Sequence, residues 1–543
     1  MISRRDILKQ GILLTATGCA SGALPDAVQR ASAITPDPGT TFADAEHVVI
    51  LMQENRSFDH MFGTLQGVRG FNDPRTLRQP DGSSVFLQRD AAGNGHLPWR
   101  LNIKDSRITW MGALPHGRWD QVDAWNGGNH NYWIEAKRSG RKEFAHIPMT
   151  MGYYTRNDIP FYYALADAFT VCDQHYCSIM TSTTPNRLMF WTGTVREEQE
   201  DRSLVYLENG LARPRGLNWK TYPERLEAAG ISWKVYQNQI RCEGGVTGNA
   251  ASWLINDGNN PLEYFDAYPV QFSADWRTFI HSWIDQTQAT LAERESAFLQ
   301  QLAQHAPGTE EALRIKGRLR AYAAQQERWE RKRAAGNADL AKLTTAQKLL
   351  RGRAFATNRG DPDFMALETI SMEIDGKSQT IQVPKGDILH QFREDVRSGQ
   401  LPLVSWLVAP GNFSDHPSVP WYGAWYVSEV MNILTENPEV WKKTIFILTY
   451  DENDGYFDHA PSFVAADPKR PETGGASDGI DTASEYAYVE DELIQGIPEE
   501  RARSGPSASD TAYQWLLLPP GAAAGGSIPR YATTHRSSVF WKI

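Results

Sequence analysis

Three short runs of unbroken apolar residues punctuate the chain, and each stops abruptly at polar residues. His-Val-Val-Ile-Leu-Met at 47–52 gives way to Gln53, Glu54, Asn55 and Arg56. Leu-Val-Ser-Trp-Leu-Val at 403–408 ends at Ala-Pro-Gly, and Thr-Ile-Phe-Ile-Leu-Thr-Tyr at 444–450 gives way to Asp451, Glu452, Asn453, Asp454 and Gly455. Runs of this length without period-two alternation predict strands buried on both faces. Segments of helical character lie between them, such as 425–436, so the alternation predicts an α/β sheet with helices on both faces. The stretch 279–353 differs. It is rich in Ala, Leu, Gln, Glu, Arg and Lys and is broken at Pro307-Gly308 and near Gly336-Asn337. That pattern predicts a charged helical insertion, an antiparallel pair, read as a solvated excursion from the sheet.

The first 40 residues have the layout of a twin-arginine export signal and linker. Ser-Arg-Arg-Asp-Ile-Leu-Lys at 3–9 precedes a mild apolar run at 11–16, and a Pro/Gly-rich linker follows at 36–39. Cys19 after Ala-Thr-Gly resembles a lipidation site, and Ala-Ser-Ala at 31–33 competes with it as a place for cleavage. The expected location is therefore periplasmic, secreted or cell-surface, with a lipid anchor at Cys19 as one route. No stretch reaches the roughly 20 apolar residues needed to span a bilayer, so no transmembrane segment is expected in the mature protein.

Composition narrows the function classes. The 543 residues are 41% hydrophobic and 22% charged, ordinary for a globular protein. A formal charge of -10 supplies no basic field, so no nucleic-acid partner is expected. Four cysteines are too few for a disulfide-framed scaffold, and the pairing of Cys172, Cys177 and Cys242 stays open.

In open α/β sheets, ligands gather beyond the carboxyl ends of strands. Glu54 with Asn55, and Asp451 with Glu452, follow two such ends and offer hard oxygen donors, which suit Ca²⁺, Mg²⁺ or Mn²⁺ better than a thiolate metal. A third element is Thr-Ser-Thr-Thr-Pro-Asn-Arg at 181–187. A hydroxyl followed by Pro and a fresh helix sits where backbone N–H groups favour an anion; a plain helix cap would use the same residues.

Glu-Asn-Arg-Ser-Phe-Asp-His-Met-Phe-Gly at 54–63 resembles the opening motif of bacterial phospholipases C, a phosphoesterase family shared with certain bacterial acid phosphatases. Further stretches match in family order: Ala-Trp-Asn-Gly-Gly at 124–128, Met-Gly-Tyr-Tyr-Thr-Arg at 151–156, Thr-Thr-Pro-Asn-Arg at 183–187, Ser-Trp-Lys-Val-Tyr-Gln at 232–237, Leu-Pro-Leu-Val-Ser-Trp at 401–406 and Tyr-Asp-Glu-Asn-Asp-Gly-Tyr-Phe-Asp-His at 450–459.

The resemblance implies an alkaline-phosphatase-like α/β/α sandwich over 41–506. It also implies a divalent cation held by Glu54, Asn55, Asp451, Glu452 and the Thr183 oxygen. Thr183 stands where the family places its nucleophile, and His116 and His416 match family histidines near the phosphate, with His459 and His130 as weaker candidates. The implied reaction is phospholipase C hydrolysis of a glycerophospholipid such as phosphatidylcholine at a membrane surface. It gives diacylglycerol and headgroup phosphate through a phosphothreonine ester. Trp119, Trp125, Tyr132 and Trp133 could cage a choline ammonium or could equally be core. Two alternatives use the same residues: an acid-phosphatase-type phosphomonoesterase, and an inactive binding protein.

The inactive reading draws on the C-terminus. The family ends with a Gly-Leu-Gly-Tyr-Arg-Val-Pro-like strand and an Asp-His-Thr-Ser motif, and neither appears after Ser507. Codons for 507–515 exist that give Ile-Gly-Leu-Gly-Tyr-Arg-Val-Pro-Met when read one base earlier. Residues 507–543 are therefore expected to be an out-of-frame tail that packs poorly.

Overall fold

The computed structural model describes residues 25–507 apart from 107–110, 199–203, 210–215, 336–338, 375–376, 418–419 and 494, and also residues 515–518 and 532–533. The stretch carrying Arg4, Arg5 and Cys19 lies outside the described residues. The apolar runs are strands of one mixed sheet. Its members are β1 (His47–Gln53), β2 (Thr170–Cys172), β3 (Trp233–Gln237), β4 (Ala356–Thr357), β5 (Val404–Val408), β6 (Thr444–Tyr450) and β7 (Trp515–Leu518), in the spatial order β2-β7-β6-β1-β5-β3-β4. β1 lies parallel to both β5 and β6, and β3 and β4 continue the parallel set. β7 runs antiparallel to β6 and to β2.

The unbroken apolar character of the central strands has a packing cause. Side chains alternate across a strand, and here each face meets its own core. Val49 and Leu51 of β1, Phe446 and Leu448 of β6 and Leu407 of β5 enter one core. Ile50, Ile447, Trp406 and Val408 enter the other. The first core is closed by α1 (Pro160–Ala168), through Tyr162 and Leu165, and by Val427, Val430, Met431 and Leu434 of a helix at Pro420–Glu436. The second is closed by α2 (Thr183–Thr192), through Leu188 and Trp191, and by Trp276, Ile280, Ile284 and Leu291 of α3 (Ala274–Leu302). The expected mixed α/β architecture, with helices on both faces, is present.

The charged insertion forms α3 and α4 (Glu310–Ala335), joined across Pro307-Gly308. The pair is antiparallel: Arg333 Nη2 meets Asp285 at 2.6 Å, and Gln288 donates to Gln326 at 3.1 Å. The excursion is less solvated than expected. Ile280, Ile284 and Leu291, spaced for one helix face, join Tyr322 and Trp329 in the second core.

At the N-terminus, the helix Asp26–Ala33 buries Ala27, Val28 and Ala31, and the Ala31 carbonyl accepts from Trp441 Nε1 at 3.0 Å. The packed chain thus reaches back into the stretch assigned to leader and linker. At the other end, within the stretch read as an out-of-frame tail, residues 515–518 pair with β6 and β2 and Ser507 is buried. The tail residues 508–514, 519–531 and 534–543 lie outside the described residues. Among the described residues, no helix is long and apolar enough to cross a membrane.

Candidate active site

Strand register brings the acidic motifs together. β1 and β6 pair from His47 with Thr444 to Gln53 with Tyr450, so they end level and release Glu54-Asn55 and Asp451-Glu452 side by side. The Asn55 amide donates to Asp451 Oδ1 at 3.1 Å, and the Arg56 amide donates to the Glu452 carbonyl at 2.9 Å. Asn55 and Asp454 take φ values of 62° and 60°. Asn and Asp tolerate this left-handed region better than other side chains, so both turns can reverse tightly over the sheet edge.

The neighbouring strand end contributes as well. Ser414 Oγ donates to Glu54 Oε2 at 2.7 Å, and Arg56 Nε donates to the Asp415 carbonyl at 2.9 Å. These contacts bring His416 to the same rim, where burial lowers it and the neighbouring Asp454 opposes that shift. Gly423 permits the approach of its helix, because a Cβ there would collide with the Asp415 carboxylate.

His116 arrives on a loop that needs another glycine. A Cβ at Gly455 would fall 2.7 Å from Leu114 Cβ and 2.8 Å from the Pro115 carbonyl, so only glycine lets this loop lie on the 451–455 turn. His116 Nδ1 is 2.6 Å from the Leu114 carbonyl, an acceptor, so Nδ1 carries a proton. Nε2 is left facing Glu452 Oε1 at 3.7 Å. Ligand atoms of His116, Glu452 and Asp454 lie within 4.8 Å of one another.

Thr183 opens α2, and Arg187, one turn later, ties that helix to the carboxylates. Its buried guanidinium donates to Asp451 Oδ2 at 3.0 Å, to the Met52 and Gln53 carbonyls at 3.3 Å each, and to the Asn259 carbonyl at 3.2 Å; it lies 3.9 Å from Glu54 Oε1. Asn186 fixes the preceding turn, donating to the carbonyls of Ile179, Thr181 and Ser182 at 3.1 Å each.

The electrostatics call for a cation. Burial pushes Asp451 up to about 6. Burial and the neighbouring Asp451 and Asp454 hold Glu452 well above the usual carboxylate range. Burial also raises Glu54, opposed by Arg187 and Ser414. Clustered carboxylates of this kind are costly unless a positive charge joins them. Among the described residues, the buried Asn55 Oδ1 and Glu452 Oε1 have no hydrogen-bond partner. Orphaned oxygen acceptors beside the close group of His116, Glu452 and Asp454 match what a hard divalent cation takes. The residues present therefore fit such an ion.

Several contributors escaped the sequence reading. Asp454 stands in the 450–459 motif with no role assigned to it, yet its Oδ1 accepts from Asn55 Nδ2 at 3.0 Å and its Oδ2 from the Leu114 amide at 2.7 Å. Arg187 likewise stands in the 183–187 motif, and a buried arginine is rare enough to be a signal. Asn259 has no comparable signal in the sequence.

Other expectations resolve differently. Trp133 is buried against Phe457 in a satellite core, which makes it packing and not part of an aromatic cage. Trp119 already carries the Arg501 guanidinium 5.0 Å from its ring centre. His459 is locked among carboxylates, with Nδ1 2.8 Å from Asp59 Oδ2 and Nε2 3.5 Å from Asp73 Oδ2. Ligand atoms of Asp59, Asp458 and His459 also lie within 4.8 Å of one another, and each oxygen of the two carboxylates already accepts a hydrogen bond from the protein. His130 is buried, and burial lowers it to about 4.

Comparison with known proteins adds the family. A signature described as the Phosphoesterase family matches residues 45–306 and 366–489. The chain is 35% identical to the non-hemolytic phospholipase C of Burkholderia pseudomallei over 490 residues, covering 89% of this chain and 54% of that protein. It is 33% identical to the hemolytic phospholipase C of Pseudomonas aeruginosa over 503 residues, covering 91% and 53%. It is 30% identical to phospholipase C A of Mycobacterium tuberculosis over 473 residues, covering 84% and 67%. The chain spans about half the length of the first two of these relatives.

Proposed function

The chain belongs to the phosphoesterase family, and from that premise we propose that it is a phospholipase C that hydrolyses the phosphodiester of glycerophospholipids such as phosphatidylcholine. In this reading residues 41–506 form the catalytic domain on an alkaline-phosphatase-like frame, and the leader at 1–40 directs export. The observation that carries it is the level ending of β1 and β6, which sets the orphaned Asn55 Oδ1 and Glu452 Oε1 in one buried acidic turn pair.

Glu54, Asn55, Asp451, Glu452 and the Thr183 hydroxyl would hold a Ca²⁺, Mg²⁺ or Mn²⁺ ion. Such an ion, when bound, eases loss of a proton from an adjoining hydroxyl and offsets phosphate charge. The Thr183 hydroxyl releases its proton to solvent, and its oxygen attacks phosphorus in line with the bond to diacylglycerol. As that bond breaks, His116 or His416 gives a proton to the departing glycerol oxygen, a role suited to imidazole near neutral pH. The headgroup phosphate is left esterified to Thr183, and water then hydrolyses the ester and frees Thr183. Arg187 keeps α2 in place against the carboxylate turns throughout.

The test pairs two substrates. Headgroup release from phosphatidylcholine is measured beside hydrolysis of p-nitrophenyl phosphate, with added Mn²⁺ or with chelator, for wild type and Thr183→Ala. Release of phosphocholine that chelator and Thr183→Ala both abolish is the expected result. Turnover of the phosphomonoester alone would sink the lipase assignment.

A further inference from the structure

The residue before Thr183 has no visible job. Ser182 is the N-cap of α2, a helix of ten residues, and takes the extended backbone of a cap. A capping serine ordinarily accepts from the second or third helical amide. Here the second amide, Thr184 N–H, donates instead to Asn209 Oδ1 at 2.8 Å, and the third residue is Pro185, which has no N–H. Among the described residues, Ser182 Oγ is accordingly left without a partner, although the residue is only 2% exposed. The contrast with its neighbours is sharp. Thr181 Oγ1 donates to the Leu207 carbonyl at 2.6 Å, and the Asn186 amide group is fully spent on three carbonyls. Thr183, by contrast, has neither its backbone N–H nor its hydroxyl in a hydrogen bond among the described residues.

Among the described residues, the Ser182 hydroxyl and the Thr183 amide thus remain as donors at this helix start, beside the Thr183 hydroxyl. Buried hydroxyls are rarely left unpaired, and a helix N-terminus with free N–H groups favours an anion. We propose that Ser182 is a phosphoryl-binding residue, whose hydroxyl joins the Thr183 amide in donating to non-bridging oxygens of the phosphate group. The inference rests on Thr183 being the nucleophile, because it places the phosphate at that residue. Ser182 acts only as a hydrogen-bond donor, keeps its proton, and forms no bond to phosphorus. Its contribution grows as charge builds on the phosphoryl oxygens in the transition state.

The test compares full-length wild type, Ser182→Ala and Ser182→Thr, loaded with Mn²⁺. Three quantities are read: calorimetric affinity for inorganic phosphate, inhibition by orthovanadate, and kcat on phosphatidylcholine. Ser182→Ala is expected to weaken phosphate and vanadate binding by roughly 10-fold or more and to lower kcat by about 10²-fold. Tm and Mn²⁺ affinity should stay at the wild-type values, and Ser182→Thr should recover most of the loss. Unchanged anion affinity in Ser182→Ala would overturn the assignment. So would a loss accompanied by an equal fall in Tm and metal affinity, or headgroup phosphate trapped on Ser182 itself. If wild type turns over no phosphatidylcholine, the lipase reading fails, but the phosphate and vanadate arms still decide Ser182. Failure of the wild-type protein to bind either anion also overturns it.

Discussion

The backbone amide of Asn55 donates to Asp451 Oδ1 at 3.1 Å, across 396 positions of sequence. That bond fastens the turn after β1 to the turn after β6 at the edge of the sheet. Asp451→Asn keeps the shape and removes a charge from the oxygen set. Divalent-metal affinity measured by calorimetry is expected to fall at least 10-fold, in the range seen when groups around a metal are altered. Asn offers one acceptor oxygen to two donors, Arg187 Nε and the Asn55 amide, so some stability is lost along with the charge, and Tm is read beside metal affinity. Unaltered Mn²⁺ affinity would remove Asp451 from the metal shell.

Arg187 donates to Asp451 and to three backbone carbonyls from a position one turn after Thr183. Arg187→Met leaves Asp451 Oδ2 and those carbonyls without their donor. Removing one partner of a buried charge pair costs about 3–5 kcal/mol. Urea unfolding should therefore show a loss of that order, with Arg187→Lys falling between Met and wild type.

At the proposed cation site, protons and metal would compete for the same oxygens. Burial raises Asp451 to about 6, so it takes up a proton at a higher pH than an ordinary carboxylate does. Glu452 is shifted in the same direction. The rise in Tm on adding Mn²⁺ should accordingly be large at pH 7.5 and shrink as the pH falls through about 6. A metal-dependent shift that is the same at pH 5 and pH 7.5 would contradict this.

His459 works in the opposite sense. Burial opposes its charge, but Asp59, Asp458 and Asp73 outweigh burial and hold it at about 9. A histidine raised above its unfolded value near 6.5 contributes stability that is fully present below that value. The contribution is lost as the pH rises through about 9. Its ceiling is about 3 kcal/mol, because each tenfold gain in proton affinity on folding is worth about 1.4 kcal/mol. Denaturation at pH 6 and pH 10 should show His459→Asn strongly destabilised at the lower pH and close to wild type at the higher.

The central strands were legible because a strand buried on both faces must be apolar throughout, as 47–52 and 444–450 are. Their register was not legible. The pairing of Gln53 with Tyr450 depends on packing between segments almost 400 residues apart, and no local pattern encodes it. Motif resemblance supplied Glu54, Asn55, Asp451 and Glu452 as residue types in order; only coordinates show Asp454 bonded to Asn55 and Arg187 bonded to Asp451. For Trp133 the sequence left core and cage open, since an aromatic in the core and one in a ligand cage read alike there, and the structure shows it in a core. The hairpin of Leu367–Ile374 and Lys377–Pro384 was missed although Asp375-Gly376 lies between its strands, a pair that favours the tight turn of a two-residue hairpin.

The most direct measurement is trapping of the covalent ester. Mn²⁺-loaded protein is mixed with phosphatidylcholine, quenched in acid within the first turnover, digested and mapped by mass spectrometry. Headgroup phosphate is expected on the peptide containing Thr183, at Thr183, and on no peptide of Thr183→Ala. Sustained phosphocholine release by Thr183→Ala, or turnover by wild type in which Thr183 never carries phosphate, would contradict it.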